Sequence, residues 1–338
     1  MPYGAQAYIG IARQTNVGSA NLVSTISSYH HVPVRSSDVG YEKQEVISQN
    51  LTGRFSQGAT YDGVATVAGT IEFEPLPQAL GAVLTAVIAQ PASVTSGSLR
   101  TLTFFPRTLD INSGGLINEP FSFLLKFGDV SSAEQFYDMQ WDSLEFNFQQ
   151  GQLLVARATA AGGKRVLTGA GSAGLALTLD TVDLSAGFLW DVASISYGGG
   201  AVGNLSSITV RLNDNIEPLY TLNGTLLPYK YTRTGFREVT VQGEMLFDTR
   251  SIFNDFTAVN TTVTRQLLIT ARNTRFQIQS GYYPTLTLDI PQMKITTLKP
   301  AVSGPSEVRV PFTGRGLIDA ASNYTFKATL ITSYAAGY

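Results

Sequence analysis

Ala65-Thr66-Val67-Ala68-Gly69-Thr70-Ile71-Glu72-Phe73-Glu74 and Val239-Thr240-Val241-Gln242-Gly243-Glu244-Met245-Leu246-Phe247-Asp248 align without a gap, at a constant offset of 174 residues from Gly69 to Gly243. The threonine, first shared valine, glycine and phenylalanine match by identity, and Glu74 against Asp248 adds a charge match. A repeat at this spacing is too long for a solenoid and fits a duplicated domain. In both copies apolar and polar residues alternate, which is the period of a strand with one buried face. The repeat therefore predicts two copies of one β-rich module.

The rest of the chain follows the same pattern. Leu144-Glu145-Phe146-Asn147-Phe148-Gln149, Ser207 to Leu212, Thr285 to Ile290 and Val308-Arg309-Val310 read as strands, separated by Gly and Asn clusters at Asn112 to Gly115, Gly162-Gly163 and Gly198 to Gly200. Helical spacing appears twice, each time after a repeated strand. Gln78 to Gln90 places Leu80, Leu84 and Val87 on one face before Pro91, and Thr249 to Ala258 carries Ile252, Phe253 and Phe256. Small residues at Ala160 to Gly163 and Thr168 to Gly174 predict a linker, giving modules at 1–180 and 181–338. The first is lengthened by an inserted loop or hairpin at about 91–120, which includes Thr103-Phe104-Phe105-Pro106.

The chain has 338 residues, enough for two cores. Lys+Arg of 23 against Asp+Glu of 25 leaves a formal charge of −2, so no basic surface for wrapping nucleic acid is expected. Charged residues make up 14%, where about a quarter is usual. Much of the surface must be neutral and polar, and copies of the same chain are expected to cover it. The absence of cysteine excludes disulfides, thiolate zinc sites and cysteine nucleophiles, and fits assembly in a reducing compartment. Met1-Pro2-Tyr3-Gly4-Ala5-Gln6 does not read as a secretory signal. The longest apolar run, Leu80 to Ala89, is too short to span a bilayer.

Candidate chemistry is sparse. Gly169-Ala170-Gly171-Ser172-Ala173-Gly174 matches a dinucleotide fingerprint literally. It is followed by the strand-like Leu175-Ala176-Leu177-Thr178-Leu179-Asp180 where a helix is required. His30 and His31, the only histidines, would point to opposite sides of a strand and so do not make a metal pair. No G-x-S-x-G elbow occurs. Glu72 and Glu74, about 6.6 Å apart along a strand, have the separation of an inverting glycosidase pair. Their face also carries Thr66 and Thr70, not the apolar pocket that raises the pKa of a general acid. The second copy has a looser polar row of Glu238, Thr240, Gln242, Glu244 and Asp248, with Leu246 in place of Glu72. A solvated acidic face is the expectation, with no catalytic residue, cofactor or metal. The glycosylation sequons, such as Asn204-Leu205-Ser206, read as chance products of a Ser/Thr-rich chain.

Asn213-Asp214-Asn215-Ile216-Glu217-Pro218-Leu219-Tyr220 resembles the tail tube (major tail) proteins of long-tailed bacteriophages. Their later strands carry an Asn-Asn-hydrophobic-Glu-Pro turn, then a strand, a Val-x-Gly strand and a helix. Here the order is Asn213 to Pro218, Leu219 to Leu222, Val241-Gln242-Gly243 and the Ile252 helix. The first half is similar through Val32-Pro33-Val34, Ile47 to Arg54, and Val67-Ala68-Gly69 before Glu74-Pro75-Leu76-Pro77. Asp214 replaces the second asparagine, and the first copy has no clear Asn-Glu-Pro turn.

The resemblance implies a mainly β chain of two tandem tail-tube-type β-sandwich modules, each with one short helix, whose inner sheets join between subunits into a barrel-like ring. Rings stack into a hollow tube, the conduit for genome DNA. With two modules per chain, three chains would close a pseudo-hexameric ring. Glu72, Glu74, Glu238, Glu244 and Asp248 would face the lumen and repel phosphate. Asn213, Asn215, Glu217 and Pro218 would form a turn at an interface, and Gly53 to Gly63 and Thr225 to Gly235 would bridge stacked rings. Implied partners are further copies of the chain, the tape measure protein and viral DNA in the lumen, and tail terminator and tip proteins. The implied location is the virion tail, assembled in the host cytoplasm with no membrane insertion. Other readings are another phage virion β-sandwich, a carbohydrate-binding or carbohydrate-active sandwich using Glu72 and Glu74 or Phe104 and Phe105, and an outer-membrane barrel. The two helices and the offset repeat argue against the barrel.

Overall fold

The computed structural model describes residues 8–14, 17–18, 29–48, 59–107, 115–126, 133–165, 187–189, 193–222, 224–246, 251–258, 263–300 and 308–334. In chain order the first half holds β1 (Tyr8–Arg13), β2 (His30–His31), β3 (Val34–Ser37), β4 (Gly40–Ile47), β5 (Thr60–Phe73), α1 (Pro77–Val87), β6 (Ala92–Ser96), β7 (Leu99–Phe104), β8 (Phe121–Lys126), β9 (Ala133–Gln149) and β10 (Val155–Arg165). The second holds β11 (Ala193–Tyr197), β12 (Gly200–Ala201), β13 (Leu205–Asn213), β14 (Ile216–Leu219), β15 (Lys230–Arg233), β16 (Glu238–Leu246), α2 (Ser251–Thr257), β17 (Arg265–Arg272), β18 (Thr285–Leu298), β19 (Arg309–Leu317) and β20 (Lys327–Thr332). Among the described residues 60% lie in strands and 7% in helices, so the chain is mainly β, and the described sheet does not close into a barrel, consistent with a sandwich-type fold.

The pairing order is the same in both halves. In the first it runs β1–β8–β9–β10–β5, with β3 and β4 sharing the outer side of β5. In the second it runs β11–β17–β18–β19–β16–β13. β2 joins β1 as β12 joins β11, and a helix follows β5 and β16 alike.

Two junctions fuse the halves. β9 pairs with β13 from Ser143 opposite Asn213 to Gln149 opposite Ser207, so one sheet runs unbroken through β5–β10–β9–β13–β16–β19. The second junction is unexpected. The 91–120 segment does contain a hairpin, β6–β7, with residues 108–114 outside the described set. However, β7 pairs with β20, which in turn pairs with β18, so the hairpin extends the sheet of the second half.

Period-two burial accounts for the core. Ala65, Val67, Ile71 and Phe73 on β5, and Val239, Val241 and Met245 on β16, are all at most 1% exposed, while Phe247 lies outside the described residues. All of these but Ala65 join a single apolar cluster with Phe123, Phe136, Trp141 and Phe146. α1 is buried on every side, not on one stripe: each of its residues but Gln78 is buried. A helix that is apolar all round belongs inside a core. Pro77 fits its first turn, where the missing N–H has no intrahelical partner to lose, and the Thr85 hydroxyl is satisfied by the Gly81 carbonyl at 2.8 Å. α1 packs on β9, β20 and β1 more than on β5, so the expected contact between helix and repeated strand is indirect.

The expected linker at Ala160 to Gly163 is instead part of β10. Its small residues reflect packing, because a Cβ on Gly162 would lie 2.5 Å from the Tyr231 ring and one on Gly163 2.3 Å from the Met139 sulfur. Thr168 to Gly174, and with it the Gly169 to Gly174 fingerprint, lies outside the described residues.

Candidate functional site: a polar sheet face and the seam between halves

The side of the continuous sheet away from the core is polar. Its registers place Glu72 opposite Arg157, Arg157 opposite Glu145, Glu145 opposite Arg211, Arg211 opposite Thr240, and Thr240 opposite Arg315. This row of charges crosses both halves. Beside it run mostly neutral rows, with Thr70, Thr159, Ser143 and Asn213 in one, which ends at Glu238, and Asn147, Thr209, Gln242 and Thr313 in another.

The expected acidic row is therefore only half of the charge present. Glu72 receives Arg157 at 2.7 Å, Glu238 receives Arg315 at 2.6 Å, and Glu244 receives Arg309 at 3.2 Å. The Ser206 hydroxyl, with Arg309, holds the Glu244 carboxyl below its usual range. Glu74, just past the end of β5, lies 3.8 Å from Arg35, and Asp248 is outside the described residues. The arginine side chains of these four pairs are about half exposed, so each pair contributes on the order of 0–1 kcal/mol. They settle the surface charge more than the stability. His30 and His31 belong to β2, whose pairing with β1 they make. Among the described residues no group of His, Asp and Glu could hold a metal, and no helix is long and apolar enough to cross a membrane.

At one end of the seam lies the turn after β13, and here sequence reasoning found the segment but not its mechanism. Asn215 takes a left-handed backbone (φ 52°), a conformation asparagine tolerates better than most residues. Its side-chain amide donates to the Phe236 carbonyl at 2.6 Å and its oxygen accepts from Asn213 at 2.9 Å. Ile216, Glu217, Pro218 and Leu219 form β14, which pairs with β15 to make a separate hairpin. At its start the hairpin is tied to the first half through Asp142: the Asp214 N–H donates to the Asp142 carbonyl at 2.8 Å, and the Ile216 N–H to the Asp142 carboxylate at 2.7 Å. Burial, opposed by the Ile216 N–H and reinforced by Asp214 and Glu217, raises the Asp142 pKa.

Asp214 itself is 1% exposed and is gripped by Arg237 through both nitrogens of a fork, with Arg233 at 3.7 Å. Arg237 also donates to the Arg107 carbonyl at 2.6 Å, and Arg107 and Arg13 converge on Glu119. The sequence signal for this cluster is Asp214 itself, the departure from Asn-Asn. Its arginine partners are not adjacent in the chain.

Beyond Pro218 the hairpin returns to the first half, where the Ala65 N–H donates to the Leu226 carbonyl at 2.8 Å and the Tyr220 hydroxyl to the Ala65 carbonyl at 3.4 Å. Leu222, Leu226, Tyr229 and Phe236 stay exposed on or beside it. Of the two segments expected to bridge rings, Thr225 to Gly235 is this hairpin's second arm, and residues 51–58 of the other lie outside the described set.

A sheet continuous through two similarly ordered halves, apolar on one face and hydrophilic on the other, defines a structural β subunit built to associate. The chain belongs to the phage tail tube protein family, whose profile matches residues 4–316. No curated protein matches it. It is a structural component of the phage tail, where the family self-assembles.

Proposed function

We propose that this chain is a duplicated tube subunit, that three copies close a pseudo-hexameric ring, and that stacked rings form the hollow conduit for genome DNA. The observation that carries this reading is the sheet shared by both halves, with one strand order used twice and joined at β9–β13. Under this reading the modules span 1–180 and 181–338, with β6–β7 donated from the first to the second. A heterologous contact of this kind closes into a ring when its rotation allows. The role is structural and not catalytic. The tape measure protein and DNA occupy the lumen in turn, and terminator and tip proteins cap the ends, after assembly in the host cytoplasm. Exposed Leu222, Leu226, Tyr229 and Phe236 support the β14–β15 hairpin as a bridge to the next ring, since unpaired apolar groups of this size favour contact with protein.

Electron microscopy of the concentrated protein is expected to give hollow rings or tubes with a three-fold outline and six-fold interior, and native mass measurement three chains per ring. Six chains would remove the trimer but keep the tube. Particles without a lumen at every concentration would refute the reading.

The polar face lines the lumen in this proposal, and its lining is charge-balanced where the sequence predicts an acidic one. Glu72, Glu145, Glu238 and Glu244 stand against Arg157, Arg211, Arg309 and Arg315. An arginine already compensated by a carboxylate offers little to a passing phosphate. Replacing Glu72 and Glu244 by lysine removes that compensation and adds positive charge at six places per ring of three. Ejection is expected to slow, more so at low salt, with tube assembly intact. Unaltered ejection kinetics in such virions would remove these residues from the lumen.

A further inference from the structure

β14 and β15 stand apart from the large sheet: they pair with each other, and with no other described strand. A lone two-stranded hairpin is marginal in water, so this one needs a seat. Its root and its far arm are held by hydrogen bonds to the first half, at Asp142 and at Ala65. Its apolar anchorage lies between them. Ile216 and Tyr231 form, with Leu116 and Ile117, a small buried cluster separate from the main core, and Val17 and Ala161 pack against it.

Tyr231 is the centre of that seat. It is 5% exposed, and its ring lies over Gly162 of β10, where an added Cβ would be 2.5 Å from a ring carbon and 2.9 Å from the hydroxyl. Gly162 does not have the left-handed backbone that calls for glycine, and glycine inside a strand weakens it. What requires glycine there is the approach of the ring. The phenol has no hydrogen-bond partner among the described residues. Burial, with the Asp138 carboxylate and Tyr220 adding to it, pushes its pKa well up. Asp138 is already taken by Lys164 at 3.0 Å, the Gln14 amide at 3.2 Å and the Gly18 N–H at 3.1 Å. The ring is therefore seated by apolar contact and not by a hydrogen bond, and an aromatic ring in a close-fitting notch is a strong anchor.

We propose that Tyr231, seated over Gly162, is the latch that fixes the β14–β15 hairpin to the first half, and that only the latched hairpin presents Leu222, Leu226 and Tyr229 correctly to the next ring. The second role rests on the tube reading above. Tyr220 to Tyr229 contains no charged residue, so this surface gains nothing from long-range attraction. Its contacts depend on being held in place beforehand, because the cost of ordering a loose segment is subtracted from the affinity. Tyr231 is thus a positioning residue: it is buried within its own chain, yet it sets where the hairpin stands.

Hydrogen exchange read by mass spectrometry tests the latch in the single chain. In Tyr231→Ala, the amides of the β14–β15 segment are expected to exchange roughly ten-fold or more faster, with β13 and β16 unchanged. Gly162→Ala, which leaves the hairpin's own sequence intact, is expected to do the same by displacing the ring. Tyr231→Phe keeps the seat and is expected to exchange as wild type. Unchanged hairpin exchange in both alanine variants, or equal acceleration in β13 and β16, overturns the latch.

Electron microscopy reads the second role. The two alanine variants are expected to close rings but to stack few of them, at a concentration where wild type and Tyr231→Phe give tubes. Faster hairpin exchange with tubes of wild-type length overturns the positioning role and leaves the tube reading standing. If the unmodified protein forms no ring at any concentration, the tube reading falls, and hydrogen exchange alone still decides the latch.

Discussion

Asp214→Ala is expected to lower the stability of the chain by about 3–5 kcal/mol, the usual cost of removing one partner from a buried ion pair. The native carboxylate is 1% exposed and accepts from both Nε and a terminal nitrogen of Arg237, with Arg233 close by. Neither guanidinium has easy access to water: their side chains are 13% and 19% exposed. Alanine leaves that positive charge without its counterion in a region where solvent cannot replace it. The loss spreads along the chain of contacts, because Arg237 also holds the Arg107 carbonyl and Arg107 holds Glu119. Urea denaturation measures the effect directly. Asp214→Asn, which keeps an acceptor but not the charge, should fall between wild type and alanine. A shift under about 1 kcal/mol for D214A would mean that the arginines relax into solvent and that the cluster is peripheral.

Gly69→Ala is expected to cost on the order of 3 kcal/mol or more, and more than Gly243→Ala. Gly69 adopts φ 134°, which side-chain-bearing residues rarely reach, and an added Cβ would lie 2.5 Å from the Val39 Cα and 2.6 Å from the Asp38 carbonyl oxygen. Those are backbone atoms of the crossing between β3 and β4. They are held there by the Thr70 N–H donating to the Asp38 side chain and the Asp38 N–H to the Thr70 carbonyl. No rotamer change relieves the clash. At Gly243 the nearest obstacles are the Phe312 ring at 2.7 Å, which can swing, and the Ser207 carbonyl oxygen at 2.9 Å. Thermal melts of the two variants rank the costs. Equal or reversed losses would overturn the claim that the two glycines keep different contacts at one station.

These two glycines also show why the repeat was legible in the sequence. At both, a neighbouring strand or side chain comes too close for a Cβ, so the residue type is dictated locally. Strand positions were legible for a related reason: burial of one face forces alternation, as in Leu144 to Gln149, whereas Thr285 to Ile290 alternates in sequence although Thr285 and Asp289 are buried as well. The acidic row was read correctly as polar but misread in charge. The partner of Glu72 is Arg157, 85 residues away, and only the register between strands brings them together. Arg237 and the Arg107 carbonyl, 130 residues apart, are likewise brought together only by the fold. α1 was read as one-faced because leucines mark a stripe, whereas its alanines and Gly81 are small enough to be covered on the remaining sides. The β7–β20 pairing had no sequence signal, since edge pairing is made by backbone groups common to all residues.

That last pairing bears on the history of the chain. A hairpin that lies among the strands of the first half finishes the sheet of the second, held between β20 and solvent. The halves are thus not interchangeable cassettes. A chain divided between them would yield one polypeptide with a hairpin lacking its host and another with β20 bare along one side. Under the duplicated-subunit proposal the exchange works as a ratchet: a hairpin traded between tethered halves is easy to acquire and hard to give back, and it would hold the two halves to one chain.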